Sequence, residues 1–223
     1  MGFLDELKRQ ADAVKSQNHV DIAALDRNTA ITEVACKGVL QYFMELAPQL
    51  NVLQLKPKLR FSLDSRTSVE NLSRGEFRVD ARRKTLRNDE VTDFVVMHGM
   101  QRSGALMTMS KDFPPEIERL EARLRQAGIT PDTETRRDQS NGRLQHVAFK
   151  FVADIVVQVK MVPDHDNARV SFHLLNLDGL ETVTAEFGAA AVTSGLLDEL
   201  ARNLAGEPSQ FLKLAERIKR VEP

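Results

Sequence analysis

The chain has 223 residues, of which 42% are hydrophobic and 28% charged, the composition of a folded globular protein rather than a disordered one. Its 31 basic and 32 acidic residues leave a formal net charge of −1, so no global field draws it to nucleic acid or an anionic membrane. A single cysteine excludes an intramolecular disulfide and any multi-cysteine zinc site, and the lack of tryptophan leaves few platforms for stacking single-stranded bases.

No stretch approaches the ~18 apolar residues of a membrane span. The opening MGFLDELKRQADAVKSQ mixes acids and bases throughout, unlike a secretory leader. A cytoplasmic protein is therefore expected. The length suits one domain, with residues 1–50 helical, 51–187 mainly antiparallel sheet and 188–223 helical again.

In chain order, Phe3, Leu4, Leu7, Ala11 and Val14 predict a short first helix. The pattern lapses at 17–21. A stronger helix follows, with Ile31, Val34, Ala35, Gly38, Val39, Tyr42, Phe43 and Leu46 at three- and four-residue steps. Asp26 or Asn28 could cap it, and Pro48 is expected to stop it. The period then drops to two. Leu53, Leu55, Leu59, Phe61 and Leu63 predict a strand interrupted at Pro57, and Phe77, Val79 and Ala81 predict another. FVVMHGM and ALMTM, joined by QRSG, continue the antiparallel series, because such short connections leave no room for crossover helices.

A helix interrupts the sheet. Asp112 with Pro114 and Pro115 opens it, Ile117, Leu120, Leu124 and Ala127 line one face, and Gly128 ends it. A polar strand, TETRRD, leads to Asn141-Gly142, a two-residue hairpin signal. Then comes LQHVAFKFVADIVVQVKMV at 144–162, about three times the usual strand length of ~5–6 residues. It should pair with 132–138 on one side and 168–177 on the other. Val152 and Val156 flank Asp154, so either both faces are covered there or a bulge near Ala153-Asp154 bends the strand; the bend is the preferred reading. PDHDNA turns the chain, ARVSFHLLNL returns it, and LETVTAEF adds a further strand. Thr193 or Ser194 caps a helix through Leu196, Leu197, Leu200, Ala201 and Leu204, with Gly206 as its left-handed end. Phe211, Leu212, Ala215, Ile218 and Val221 predict a final helix.

The expected fold is thus α+β: a twisted antiparallel sheet of about six to eight strands with N-terminal helices, one inserted helix and a C-terminal helical pair.

Most familiar chemistries fail on spacing. GMQRSGAL has G-x-x-x-x-G but lacks the Lys and Ser/Thr that a phosphate loop needs after the second glycine. The turn from Asp164 lacks the glycine and glutamate of a calcium loop at positions six and twelve. No H-x-x-x-H or H-E-x-x-H occurs, so no metal site and no cofactor is expected. Cys36 lies inside the strong helix, where burial rather than reactivity is expected. There is no G-x-S-x-G elbow. If an active site exists, His146, His173 and Asp154 are its candidates, because the two histidines lie on strands expected to pair.

Two binding surfaces are conceivable. Lys56, Lys58 and Arg60 share a predicted strand face and could meet an anionic partner, although Glu76 and Asp80 would neutralise them across the ladder. Phe149, Phe151, Ile155, Val157, Phe172 and Leu174 could line a cavity between the sheet and the C-terminal helices. The expected function is a non-catalytic interaction or adaptor protein that self-associates through sheet edges or the N-terminal helix. The alternative is a binding protein for a small apolar or amphipathic ligand. Protein partners fit either reading, and nucleic acid fits neither.

Overall fold

A computed structural model describes residues 3–137 and 144–223. Among them are three α-helices and eleven strands, so the α+β class holds. The two predicted N-terminal helices are one. Helix α1 runs Phe3–Leu53, 51 residues, with Pro48 inside it. Pro48 and Met44, four residues before it, are both exposed, while Ala47 and Leu50 on either side of Pro48 are buried. Packing of that inner face carries the helix past its expected stop. The buried stripe is also rotated from the predicted one. Thr32, Ala35, Cys36, Val39, Phe43, Ala47 and Leu50 point inward, whereas Val34 is 72% exposed.

The predicted strand across 53–63 shrinks to β1, Arg60–Ser62, which pairs with β2, Ser68–Glu70, in a small ribbon. Residues 54–59 form no regular element. Pro57 there is buried against Gly206, and it cannot donate to a ladder. Strands β3, Ser73–Leu86, and β4, Asp89–Arg102, form a long antiparallel hairpin. Strand β5, Leu106–Lys111, leaves it for another sheet. Helix α2, Pro114–Ala127, buries the four predicted residues and ends on Gly128 at φ 75°. Phe113, not Asp112, occupies its N-cap. Strand β6 is Asp132–Arg137. The Asn141-Gly142 turn lies outside the described residues.

The long segment breaks at Ala153-Asp154, as the bend reading expects. Strand β7, Leu144–Val152, is the centre of a three-stranded sheet ordered β5-β7-β6. Strand β8, Ile155–Asp164, belongs to a six-stranded sheet together with β9, Arg169–Leu175, β10, Thr182–Gly188, and β11, Arg217–Val221. Its order is β11-β10-β9-β8-β4-β3, and every pairing is antiparallel. One run of alternating residues therefore serves two sheets. Phe149, Phe151 and Ile155 fill a core with α2 and the ribbon, while Val157, Val159 and Met161 fill another with α1 and α3 (Ser194–Ala205).

Thr193 caps α3 by accepting from the Leu196 N–H at 3.4 Å, and Gly206 ends it at φ 77°. The predicted final helix does not form. Phe211–Leu214 is a short 3-10 turn, and Arg217–Val221 is strand β11, paired with β10. Phe211 is fully buried edge-on to Phe172, with ring centroids 5.5 Å apart. A continued helix would leave the open edge of β10 without a partner.

A buried cation ties these parts together. Arg74 is 1% exposed. Its Nε donates to Gln101 Oε1 at 2.8 Å, Nη1 to the Leu204 carbonyl at 2.6 Å, and Nη2 to the Leu177 carbonyl. Leu204 lies in the last turn of α3, where carbonyls lack helical partners and carry the negative end of the dipole. Burial pulls the Arg74 guanidinium down to about 10, with nearby Asp178 acting in the opposite direction, so it stays charged at neutral pH. Gln101 passes the network on to the Asn176 carbonyl at 2.8 Å.

Candidate functional site

The three catalytic candidates are not brought together by the fold. His146 lies on β7 opposite Arg136, and His173 lies on β9 opposite Thr184 and Lys160. Their strands are in different sheets, which corrects the expected pairing. His173 Nδ1 is 3.0 Å from Thr184 Oγ1, and burial, then Lys160, holds the ring below its ordinary range. Asp154 sits at the break between sheets and clamps a loop. Its Oδ1 accepts from the Ser103 and Gly104 N–H groups at 2.9 and 3.1 Å, and Oδ2 from Arg102 at 2.8 Å. These contacts make it a fastener of the strand break.

The six expected lining residues are buried in two separate cores, so no single cavity wall contains them. Lys56 and Lys58 are exposed on the irregular segment, and only Arg60 is on a strand, which corrects the shared face. Arg60 pairs with Glu70 at 3.3 Å. The basic run of β3 is neutralised by acids of β4: Lys84 meets Asp93 at 3.3 Å and Arg83 meets Glu90 at 3.8 Å.

Arg60 does border a cleft of about 620 Å3 between the ribbon and α2, with Asp64, Lys111, Glu116, Arg119 and Arg123. Lys111 bridges Asp64 and Glu116 at 2.9 and 3.3 Å. Asp64 also accepts from the Arg66 and Thr67 N–H groups. Burial pushes the Asp64 carboxyl up, but these donors outweigh it and hold the group near about 2 against an ordinary 3.8. A depressed carboxyl stabilises the fold above its unfolded value and loses that contribution as pH falls toward the folded one. Asp64→Asn is therefore expected to cost about 1–2 kcal/mol at pH 7, with the gap to wild type closing between about pH 4 and pH 2. Urea unfolding at pH 7 and pH 2.5 measures it; an equal gap at both would remove the charge as the cause.

Among the described residues, a concentrated set of reactive side chains lies elsewhere, beneath α1. Glu33 and Cys36 are one turn apart on its inner side. His165 reaches them from the turn between β8 and β9, 132 residues from Glu33 in sequence. The donor atoms of the three all lie within 4.8 Å of one another. His165 Nε2 is 2.9 Å from Glu33 Oε1, and that oxygen also accepts the Thr92 N–H at 2.8 Å. Thr92 Oγ1 is 3.2 Å from Glu33 Oε2, and Arg83 stands 4.0 Å from the same oxygen. Burial pushes the Glu33 carboxyl up, but His165 and Thr92 bring it below its ordinary value. Burial, then the Glu33 charge, pushes the Cys36 thiol up to about 12, so alone it is no nucleophile at neutral pH. The turn carrying His165 is anchored by Asp164, which accepts from Asn167, and by Asn28 donating to the Asp166 carbonyl at 2.7 Å.

Above this cluster, a cleft of about 210 Å3 between α1 and the β3–β4 hairpin reaches Glu33 and Cys36, with Lys37, Leu40, Arg83 and Thr92 around it. Leu40 and Met44 continue it into a shallow apolar surface on α1. Sequence reading missed the cluster, because only the Glu-x-x-Cys spacing is visible there. The third member arrives by folding. Among the described residues no helix is long and apolar enough to cross a membrane. Comparison of the chain with known protein families, with curated proteins and with solved structures finds no match.

Proposed function

We propose that the chain is a non-catalytic interaction protein that assembles with a second copy of itself through α1. The observation that carries this reading is the length of α1 together with the apolar side chains that it exposes. At ~1.5 Å per residue the helix is roughly 75 Å long. From Asn28 onward it is tied down, by Asn28 to Asp166, by Thr29 to Arg87 and by the buried Thr32. Just before that, Ile22 is 55% exposed, and Asp26 and Arg27 are exposed as well.

Most helical stability in proteins comes from packing of an apolar face, so a helix of this length suits a partner along it. Leu4, Leu7, Ala11 and Val14 recur at heptad-like three- and four-residue steps. Asp5, Glu6 and Asp12 balance Lys8, Arg9 and Lys15, which makes the segment self-complementary in charge. Val34 and Met44, 72% and 61% exposed, extend an apolar surface along the same helix. A small apolar ligand, by contrast, would have to displace side chains that already pack on one another.

Native mass spectrometry and light scattering on the full chain test the reading. Wild type is expected at twice 25.1 kDa, and the double variant Leu4→Glu, Leu7→Glu at the single mass with its far-ultraviolet dichroism otherwise retained. A monomeric wild type at tens of micromolar, or an undiminished dimer in the variant, would refute it. A mass excess over a whole multiple, lost on denaturation, would instead favour the ligand-binding alternative.

A further inference from the structure

We propose that Glu33, Cys36 and His165 form a binding site for one borderline-soft divalent cation of the zinc class. The donors are a carboxylate oxygen, a thiolate sulfur and an imidazole nitrogen, the set zinc accepts and harder cations such as magnesium or calcium do not. All three lie within 4.8 Å of one another, while a tetrahedral centre holds its ligands about 2.0–2.3 Å from the metal, so small rotations of the side chains close the site. Glu33 and Cys36 present their donors from one helical face, the i, i+3 arrangement from which helix-built metal sites draw paired ligands. His165 supplies the third from a turn that is itself anchored.

The surroundings suit a cation. Thr92 holds both oxygens of Glu33, at 2.8 and 3.2 Å, which orients the carboxylate as the partners of metal ligands do. The cation would take the place of the hydrogen bond between His165 Nε2 and Glu33 Oε1, with the imidazole binding as its neutral Nδ1–H tautomer. One proton leaves the Cys36 thiol for solvent when sulfur becomes a ligand. The carboxylate and thiolate together carry two negative charges, which a divalent ion neutralises, while Lys37, Arg82 and Arg83 line the cleft around them. The cleft of about 210 Å3 that reaches Glu33 and Cys36 is the entry path and leaves room for water as the fourth ligand. A hydrogen-bonded glutamate–histidine pair would by itself tie the turn to α1. The third donor converging on that pair is what makes a coordination site.

The test uses the full chain stripped with EDTA, then given zinc sulfate or cobalt(II) chloride. Zinc is expected to remain at one equivalent after dialysis and to raise the thermal midpoint. Cobalt is expected to produce a thiolate-to-metal charge-transfer band with visible bands of tetrahedral strength. Cys36 is the only cysteine in the chain, so the wild-type spectrum alone assigns the sulfur. Cys36→Ser should abolish the charge-transfer band, and His165→Asn and Glu33→Gln should each weaken zinc at least ~10-fold. Absence of the cobalt charge-transfer band in wild type, or zinc retention unchanged in all three variants, would overturn the proposal. The wild-type cobalt spectrum decides even if a variant fails to fold, and the oligomeric mass does not enter into it.

Discussion

Arg74→Met is expected to destabilise the fold by about 3 kcal/mol or more, one of the two largest effects of a single substitution predicted for this chain. Methionine fills similar space and removes a buried charge, and that part of the change is favourable. What it leaves behind is worse. The Leu204 and Leu177 carbonyls and Gln101 Oε1 lose their donor in a region closed to water. Each unsatisfied buried acceptor costs about 1–3 kcal/mol, and three together outweigh the relief from desolvation. Lysine should fail as well, because one ammonium on a flexible stem cannot reproduce a planar fork aimed at three acceptors. Urea unfolding followed by far-ultraviolet dichroism measures the loss. A change below about 1 kcal/mol would mean that water reaches these acceptors and that the network does not hold α3 to the sheet.

Phe211→Ala should cost about 3–5 kcal/mol. The ring is fully buried and contacts Phe172 edge-on and Phe187 at 47°, with centroids 5.5 and 5.1 Å away. Truncation leaves a ring-sized void bounded by two rigid aromatics that cannot collapse into it. Every residue of β11, six positions further on, is exposed, so Phe211 is the anchor that delivers this strand to the edge of β10. Hydrogen exchange should therefore rise in the amides of β10 and β11 beyond the global change. Uniform exchange with a small stability loss would show that the ladder holds the terminus without the anchor.

Much of the architecture was legible because it follows local rules. Helix α2 was readable in all but its N-cap, since prolines fit only its first turn and a left-handed end needs glycine. The break at Ala153-Asp154 was readable because a polar residue flanked by two valines disturbs an otherwise strict alternation. Pro48 misled. A proline ends a helix only if nothing else holds it, and here Ala47 and Leu50 pack below while Asn51 donates to the Phe77 carbonyl and accepts its N–H. The 211–221 segment misled too, because a few apolar residues at helical spacing fit a turn plus a strand equally well once the edge of β10 is available.

For the candidate site the division is sharper. Cys36 was legible as a residue of the strong helix, but neither spacing nor composition predicts that His165 joins it and Glu33. By itself the sequence determined the α+β class, the α2 helix, the caps at Gly128 and Gly206 and the alternation that builds both sheets, because backbone preference and periodicity act over a few residues. Only the tertiary structure decided that one strand run would serve two sheets, that a lone arginine would be buried on carbonyls, and that three donors would converge under α1. Those outcomes depend on which distant surfaces exclude water together, and no local pattern encodes that.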